Sequence, residues 1–268
     1  MTDATSPVIS LGFRTDLMLL TLQGSRVEER DGYRVVRTPA NPTFHWGNFL
    51  LLPAAPAPGT AARWVDTFRR EFPDADHVAL GVDGTDGATG DPADLAAADL
   101  HVERGTVLTA ASLRPPARPN TTATYRVADT DDDWAQALAL NEAGNTDFEP
   151  TAYREFAARR LAGFRALQER GHGAWFGAFE DGRLRAGLGL FTDGRGLARY
   201  QTVGTHPDHR NRGLASGLVH AAAVHAATNW SATTLVIVAD PDYVAIDIYR
   251  RLGFTGTETQ IQLQIVPA

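Results

Sequence analysis

The residues best placed to do chemistry lie in one short stretch, Val203-Gly204-Thr205-His206-Pro207-Asp208-His209-Arg210-Asn211-Arg212-Gly213-Leu214-Ala215-Ser216. A strand runs into a loop carrying two arginines, and a glycine then opens a helix. The first turn of a helix presents unpaired N–H groups and the positive end of the helix dipole. Gly213 and Ala215 keep that surface small, so a diphosphate can approach the main chain. Arg210 and Arg212 can add charge-assisted hydrogen bonds. The chemistry indicated is anion binding. Taken alone, the pattern also describes a basic loop with an ordinary glycine at a helix entry.

The rest of the inventory removes several alternatives. The chain has 268 residues, no cysteine, and only arginine among its 25 basic side chains. A cysteine nucleophile, thiolate metal ligands, disulfides, a Schiff-base lysine and a phosphate-binding lysine of the Walker type are therefore excluded. A net charge of −7 disfavours a nucleic acid held through its phosphates, so an anionic ligand needs a local site. With 43% hydrophobic and 21% charged residues the composition is that of a globular protein, not a disordered one. No apolar run approaches the roughly 18–20 residues that span a bilayer. The N-terminus shows no basic stretch followed by an apolar core, so the expected location is cytoplasmic.

The elements that must position the loop follow from periodicity. In the second half, strands are expected at 125–128, 174–179, 184–191, 197–204, 233–239 and 254–266. Helices are expected at 134–143, behind the acidic Asp131, Asp132 and Asp133, and at 151–170, 213–228 and 244–252. The last is stopped by Gly253. The first half suggests a hairpin at 26–37, strands at 44–52, 77–82 and 105–111, and helices at 61–72 and 92–100. Three prolines in residues 114–119 suggest a linker over 114–122. Both halves repeat the order strand, helix, strand, helix, strand, which is consistent with a duplication but also common in α/β proteins.

In this context Arg210-x-x-Gly213-x-Ala215 resembles the acyl-CoA signature of the GNAT N-acetyltransferase superfamily. Ala245-x-x-x-Tyr249-Arg250-Arg251-Leu252-Gly253-Phe254 resembles the helix in that family that ends Tyr-x-x-Leu-Gly-Phe. The resemblance covers residues 123–268. It implies an α/β fold, with a mixed, mostly antiparallel central sheet flanked by helices, in two tandem domains. Residues 1–120 would be a degenerate GNAT-like domain without the signature. Prolines and no arginine occupy the corresponding stretch from Leu52 to Gly59. Residues 121–268 would be the catalytic domain.

The resemblance further implies acetyl-CoA as co-substrate. Main-chain groups near Val203 and Thr205 would meet the pantetheine arm, and an N–H near Val203 would polarise the thioester carbonyl. Asn211, Arg212, Gly213, Leu214, Ala215 and Ser216, with Arg210, would hold the pyrophosphate. Tyr249 would protonate the leaving thiolate, as a phenol near pKa 10 can when held against a thiol near 8.5. Many relatives carry asparagine where this chain has Asp242, which removes one amide donor.

The general base is not fixed by the motif. Glu142, Asp147 and Glu149 lie near the acceptor side but are also ordinary surface acids. His206 and His209 flank the signature as loop residues. His220 and His225 are five apart on a helix, which is not a same-face ligand pair, so no metal is expected. The cluster from Phe44 to Asn48 suggests either a cavity lining or a packed core edge. The expected activity is N-acetyl transfer to a primary amine of a small molecule by direct attack, since no cysteine can carry the acyl group. Competing readings are a non-catalytic acyl-CoA-binding regulatory protein and an acetyltransferase for protein N-termini or lysines. No nucleic-acid or membrane partner is expected, and a homodimer is left open.

Overall fold

The computed structural model describes residues 7–266. They divide into two compact units. Unit 1 holds residues 7–107, Val238–Pro241 and 256–266, and unit 2 holds Leu108–Ile237 and Asp242–Thr255. The units interleave along the chain instead of meeting at residue 120. No helix among the described residues is long and apolar enough to cross a membrane.

In unit 2, β6 (Thr124–Val127) is followed by α4 (Asp131–Gly144), α5 (Pro150–Glu169), β7 (Gly173–Glu180), β8 (Arg183–Thr192) and β9 (Leu197–Thr205). Then come α6 (Leu214–Trp230), β10 (Thr234–Ala239) and α7 (Ala245–Leu252). The strand order is β6-β7-β8-β9-β10. The first three pairings are antiparallel, and β9 pairs β10 in parallel through the α6 crossover.

Alternation along β7 divides the core between two faces. Trp175 meets Trp134 of α4 and Phe164 of α5, whereas its neighbour Phe176 meets His225 and Trp230 of α6. Helices therefore cover both faces, and β7 is buried along its whole length.

The N-terminus of α4 shows how local chemistry fixes an element. Thr130 and Asp133 form a capping box. Arg126 also grips both oxygens of Asp133 at 2.7 Å. The guanidinium, reinforced by main-chain N–H groups of Asp129 and Thr130, holds the Asp133 carboxyl far below its usual range. A depressed native pKa contributes stability above the unfolded value, and that stability is lost as pH falls through the native value. Asp133→Asn is therefore expected to cost about 1–3 kcal/mol in denaturant titration at neutral pH. The difference from the parent should narrow steadily below about pH 4. An unchanged midpoint at neutral pH would refute this role.

Unit 1 contains α1 (Leu11–Leu22), β1 (Arg26–Arg30), β2 (Tyr33–Arg37), β3 (Phe49–Leu52), α2 (Ala61–Glu71), β4 (Val78–Val82) and α3 (Pro92–Ala97). It also takes most of β5 (His101–Ala110) and of β11 (Thr255–Ile265). The order is β1-β2-β3-β4-β11-β5. As in unit 2, a helical crossover joins two parallel strands, here β3 and β4 through α2. The chain's last strand, expected to close the second half, pairs antiparallel with β4 instead, from Ile261 opposite Val82 to Ile265 opposite Val78.

Three further expectations change. Helix α1 was not foreseen; it is started by Ser10, whose side chain accepts from the N–H of Phe13. The strand expected at 44–52 begins only at Phe49, because residues 45–47 form a 3₁₀ turn. Asn48 locks that turn by accepting from the N–H of Thr38 and donating to the carbonyls of Asn41 and Phe44. The stretch read as a linker, 114–122, lies in unit 2 and supports its signature loop, as described below.

Candidate active site

A cavity of about 370 Å³ opens in unit 2. Its lining includes Val203, Gly204 and Thr205 at the end of β9, and Arg210, Asn211, Gly213, Leu214, Ala215 and Ser216 around the start of α6. It also includes Tyr243, Val244, Ala245, Ile248 and Tyr249 from α7 and the turn before it. Two motifs some 30 residues apart in sequence thus face one space.

The start of α6 leaves its first-turn N–H groups free of side-chain caps. Its N-cap is Gly213, left-handed at φ +76°, and no side chain caps the helix. Asn211 is also left-handed, at φ +61°. The free N–H groups of the first turn, with this irregular backbone before them, form a concave cluster of donors. A Cβ on Gly213 would lie 3.1 Å from the carbonyl oxygen of Arg118, so glycine is required on two counts. Helix α7 also begins without a side-chain cap, and its first residues line the same cavity. Elsewhere in the chain such positions are closed: Asp91 caps α3, Glu149 caps α5, and the Asp94 carboxylate takes the first N–H of α2 at 3.0 Å.

The two arginines of the loop part company. Arg210 is exposed, lines the cavity and has no partner among the described residues. Arg212 does not line it. Its guanidinium is 2.8 Å from Glu180 of β7 and 2.7 Å from Nδ1 of His209. Asn120 and Thr122, from the supposed linker, brace the same place: Asn120 donates to the carbonyl of Arg212 and Thr122 donates to Glu180 at 2.6 Å. The hydroxyl of Thr122 and the charge of Arg212 hold the Glu180 carboxyl below its usual value. Arg212, expected to touch an anion, instead anchors the loop to the sheet. Of the two histidines flanking the signature, His209 lines the cavity and His206 does not.

Between β8 and β9 the pairing slips: Gly187 faces Gly204 and Gly189 faces Gln201, so Thr202 and Val203 together oppose Leu188. Thr202 takes a left-handed φ of +50°. Such a bulge releases main-chain groups from the ladder and bends the strand. Thr202 and Val203 line the cavity, as does Trp175.

Tyr249 is 5% exposed, and its ring packs edge-on to Phe254, which also contacts Tyr200. Gly253, at φ +112°, turns the chain so that Phe254 can reach back. The Tyr249 hydroxyl has no hydrogen-bond partner among the described residues. Burial, with Tyr243 nearby, raises its pKa well above that of a free phenol, so it carries its proton at neutral pH. Asp242 is exposed and does not line the cavity.

Among the described residues no carboxylate lines this space. Glu142 pairs with Arg154 at 2.5 Å, Glu149 caps α5, and Asp147 accepts from Thr146. The residues missed from sequence include Asn141 and Tyr153 on the helices α4 and α5, Trp175 on β7, Thr202, and the apolar lip of Tyr243 and Val244. They fall in or beside expected elements, and none carries a local signal of its own.

In unit 1, His45, Asp76 and His77 bring potential ligand atoms within 4.8 Å. The two rings stack at an interplanar angle of 16°, so their in-plane lone pairs do not converge on one point, and the group is packing.

A model of the GNAT acetyltransferase family matches residues 137–254. No curated protein matches the chain. Several solved structures share the fold over nearly its whole length. A GCN5-related N-acetyltransferase from Kribbella flavida has a TM-score of 0.64 at 18% identity and covers 97% of each chain. A tandem GNAT protein from the clavulanic acid biosynthesis pathway has a TM-score of 0.55 at 17% identity and covers 96% of this chain and 95% of its own. A functionally unknown protein from Staphylococcus epidermidis superposes with a TM-score of 0.72 at 10% identity, over 90% of this chain and 94% of its own.

Proposed function

We propose, from the premise that residues 137–254 form a domain of the GNAT acetyltransferase family, that the chain transfers an acetyl group from acetyl-CoA to a primary amine of a small molecule. The observation that carries this reading is the uncapped, donor-lined start of α6 opening into the same cavity as Tyr249. The N–H groups of residues 213–216 and the unpaired Arg210 are suited to a pyrophosphate. The bulge at Thr202 and Val203 leaves main-chain donors for the thioester carbonyl.

The amine nitrogen attacks the carbonyl carbon, a C–N bond forms, and the C–S bond then breaks. The Tyr249 proton passes to the departing thiolate, the amine's proton leaves to solvent, and a proton from solvent restores the tyrosine. With no cysteine in the chain, transfer is direct within a ternary complex.

Unit 1 is then a GNAT-like unit without a donor site. Its parallel β3-α2-β4 crossover parallels β9-α6-β10, but Asp94 and the prolines of residues 53–58 close the helix start that would meet a diphosphate. A cytoplasmic location accords with this chemistry.

One observation favours a second reading, a non-catalytic acyl-CoA-binding protein: no carboxylate lines the cavity to serve as base. Thiol release from acetyl-CoA across an amine panel separates the two. Transfer supports the enzyme. Cofactor binding without release to any amine supports the binding protein, and no cofactor binding refutes both.

A further inference from the structure

His209 lines the cavity, yet the transfer step described above makes no use of it. Its side chain is 19% exposed. Nδ1 lies 2.7 Å from a terminal nitrogen of Arg212 and 3.5 Å from a carboxylate oxygen of Glu180. Nε2 has no partner among the described residues. A guanidinium carries donors and no acceptor. Nδ1 therefore accepts from Arg212, and the ring proton sits on Nε2. With its Nδ1 taken, the ring offers the cavity an N–H and no free lone pair.

This tautomer is fixed from behind the site. Glu180, on β7, accepts from Arg212 at 2.8 Å and from the Thr122 hydroxyl at 2.6 Å. Asn120 donates to the carbonyl of Arg212. The His206 ring packs edge-on to that of His209, with 5.6 Å between centroids. None of these five supporting residues lines the cavity. They reach a ligand only through the imidazole they orient. An N–H held in advance loses little freedom when it bonds, so more of the bond survives as affinity.

The position of the ring indicates what it meets. His209 stands in the 3₁₀ turn of residues 207–209, between the end of β9 and the start of α6. Arg210 and Asn211 follow it and line the same cavity. An N–H beside a guanidinium and a helix start suits an anionic oxygen. The same ring has no lone pair left for a proton from the amine, which sets it apart from a general base.

We infer that His209 donates its Nε2–H to the diphosphate of acetyl-CoA, and that Arg212 and Glu180 are positioning residues acting through it. This rests on the acetyl-transfer reading above and adds a side-chain contact to its cofactor site.

The test uses the full-length protein and compares acetyl-CoA affinity by isothermal titration. His209→Phe keeps a ring beside His206 and removes the N–H; Kd should rise about tenfold or more. His209→Gln carries an amide N–H about as far along the side chain as Nε2, and its Kd should stay within about threefold of the parent. Acetyl-CoA lacking its 3′-phosphate should show the same loss with His209→Phe. S-acetylpantetheine, which lacks the diphosphate, should show none. In the 15N-labelled parent, long-range 1H–15N correlation should show an unprotonated Nδ1 and a protonated Nε2 for His209. Arg212→Met should move a proton onto Nδ1, because Glu180 is then its nearest partner. If that variant does not fold, the parent spectrum decides the tautomer alone.

A parent spectrum with the proton on Nδ1 would overturn the proposal, and so would parental affinity in His209→Phe. A loss that His209→Gln fails to restore, or that S-acetylpantetheine shares, would trace the effect to packing and overturn it as well. A loss that vanishes without the 3′-phosphate would overturn the diphosphate assignment. A fall in kcat with Kd unchanged would make His209 a proton-transfer group instead. A parent that binds no acetyl-CoA removes the acetyl-transfer reading itself, which keeps the two failures apart.

Discussion

Replacing Tyr249 with phenylalanine is expected to lower turnover about a hundredfold while changing acetyl-CoA affinity less than about threefold. The variant keeps the ring that packs on Phe254 and removes only the hydroxyl, which has no partner among the described residues. Loss of the hydroxyl therefore costs little stability. Its effect falls on expulsion of the thiolate, the step that needs a proton. Burial raises the phenol's pKa, so the tyrosine stays protonated through neutral pH and acts as an acid rather than a base. An unchanged kcat would leave Tyr249 as a core residue and would require another proton donor for the thiol.

Ala215→Glu should weaken acetyl-CoA binding at least about a hundredfold without destabilising the fold. Ala215 lies in the first turn of α6, where no side chain caps the helix. A carboxylate there favours the helix dipole by about 0.3–1 kcal/mol, so the melting temperature should hold or rise slightly. The same carboxylate would occupy the donors proposed for the diphosphate and repel it. A variant that melted as the parent does and still bound acetyl-CoA with parental affinity would show that the start of α6 is not the anion site. Loss of binding with loss of stability would trace the effect to folding instead.

The parts of the site legible in the sequence are those fixed by local spacing. Arg210, Gly213 and Ala215 sit within one loop and one helical turn, so local spacing alone sets an arginine beside a small-residue helix start. Tyr249 was singled out by the resemblance of Tyr249-x-x-Leu252-Gly253-Phe254 to the family's helix ending, and Gly253 sets the end of α7. What could not be read depends on partners distant in the chain. Arg212 looked like a second phosphate ligand until Glu180, 32 residues earlier, claimed its guanidinium. The bulge at Thr202 comes from a slip in pairing with β8, and neither strand encodes it alone. The indole of Trp175 reads as core, and it is core.

The fold shows the same division. Amphipathic helices and buried strands of unit 2 follow their periodicity to within three residues. The last strand was recognised as a strand, yet its edge was not, because alternation fixes which side chains face the core and is silent about the neighbour. Its pairing with β4 makes the units interleave. In unit 1 the apolar run at 44–52 suggested one long strand, and the turn at residues 45–47 prevails because Asn48 satisfies three main-chain groups only in that geometry.

The central claim is that the cavity between α6 and α7 performs acetyl transfer and does not merely hold an acyl-CoA. Continuous measurement of free thiol released from acetyl-CoA by the full-length protein, with amines present and then absent, tests it most directly. Amine-dependent release matched by an equal amount of acetylated amine is the expected result, with release near background when the amine is omitted. Acetyl-CoA bound at saturation with no release to any amine would contradict it.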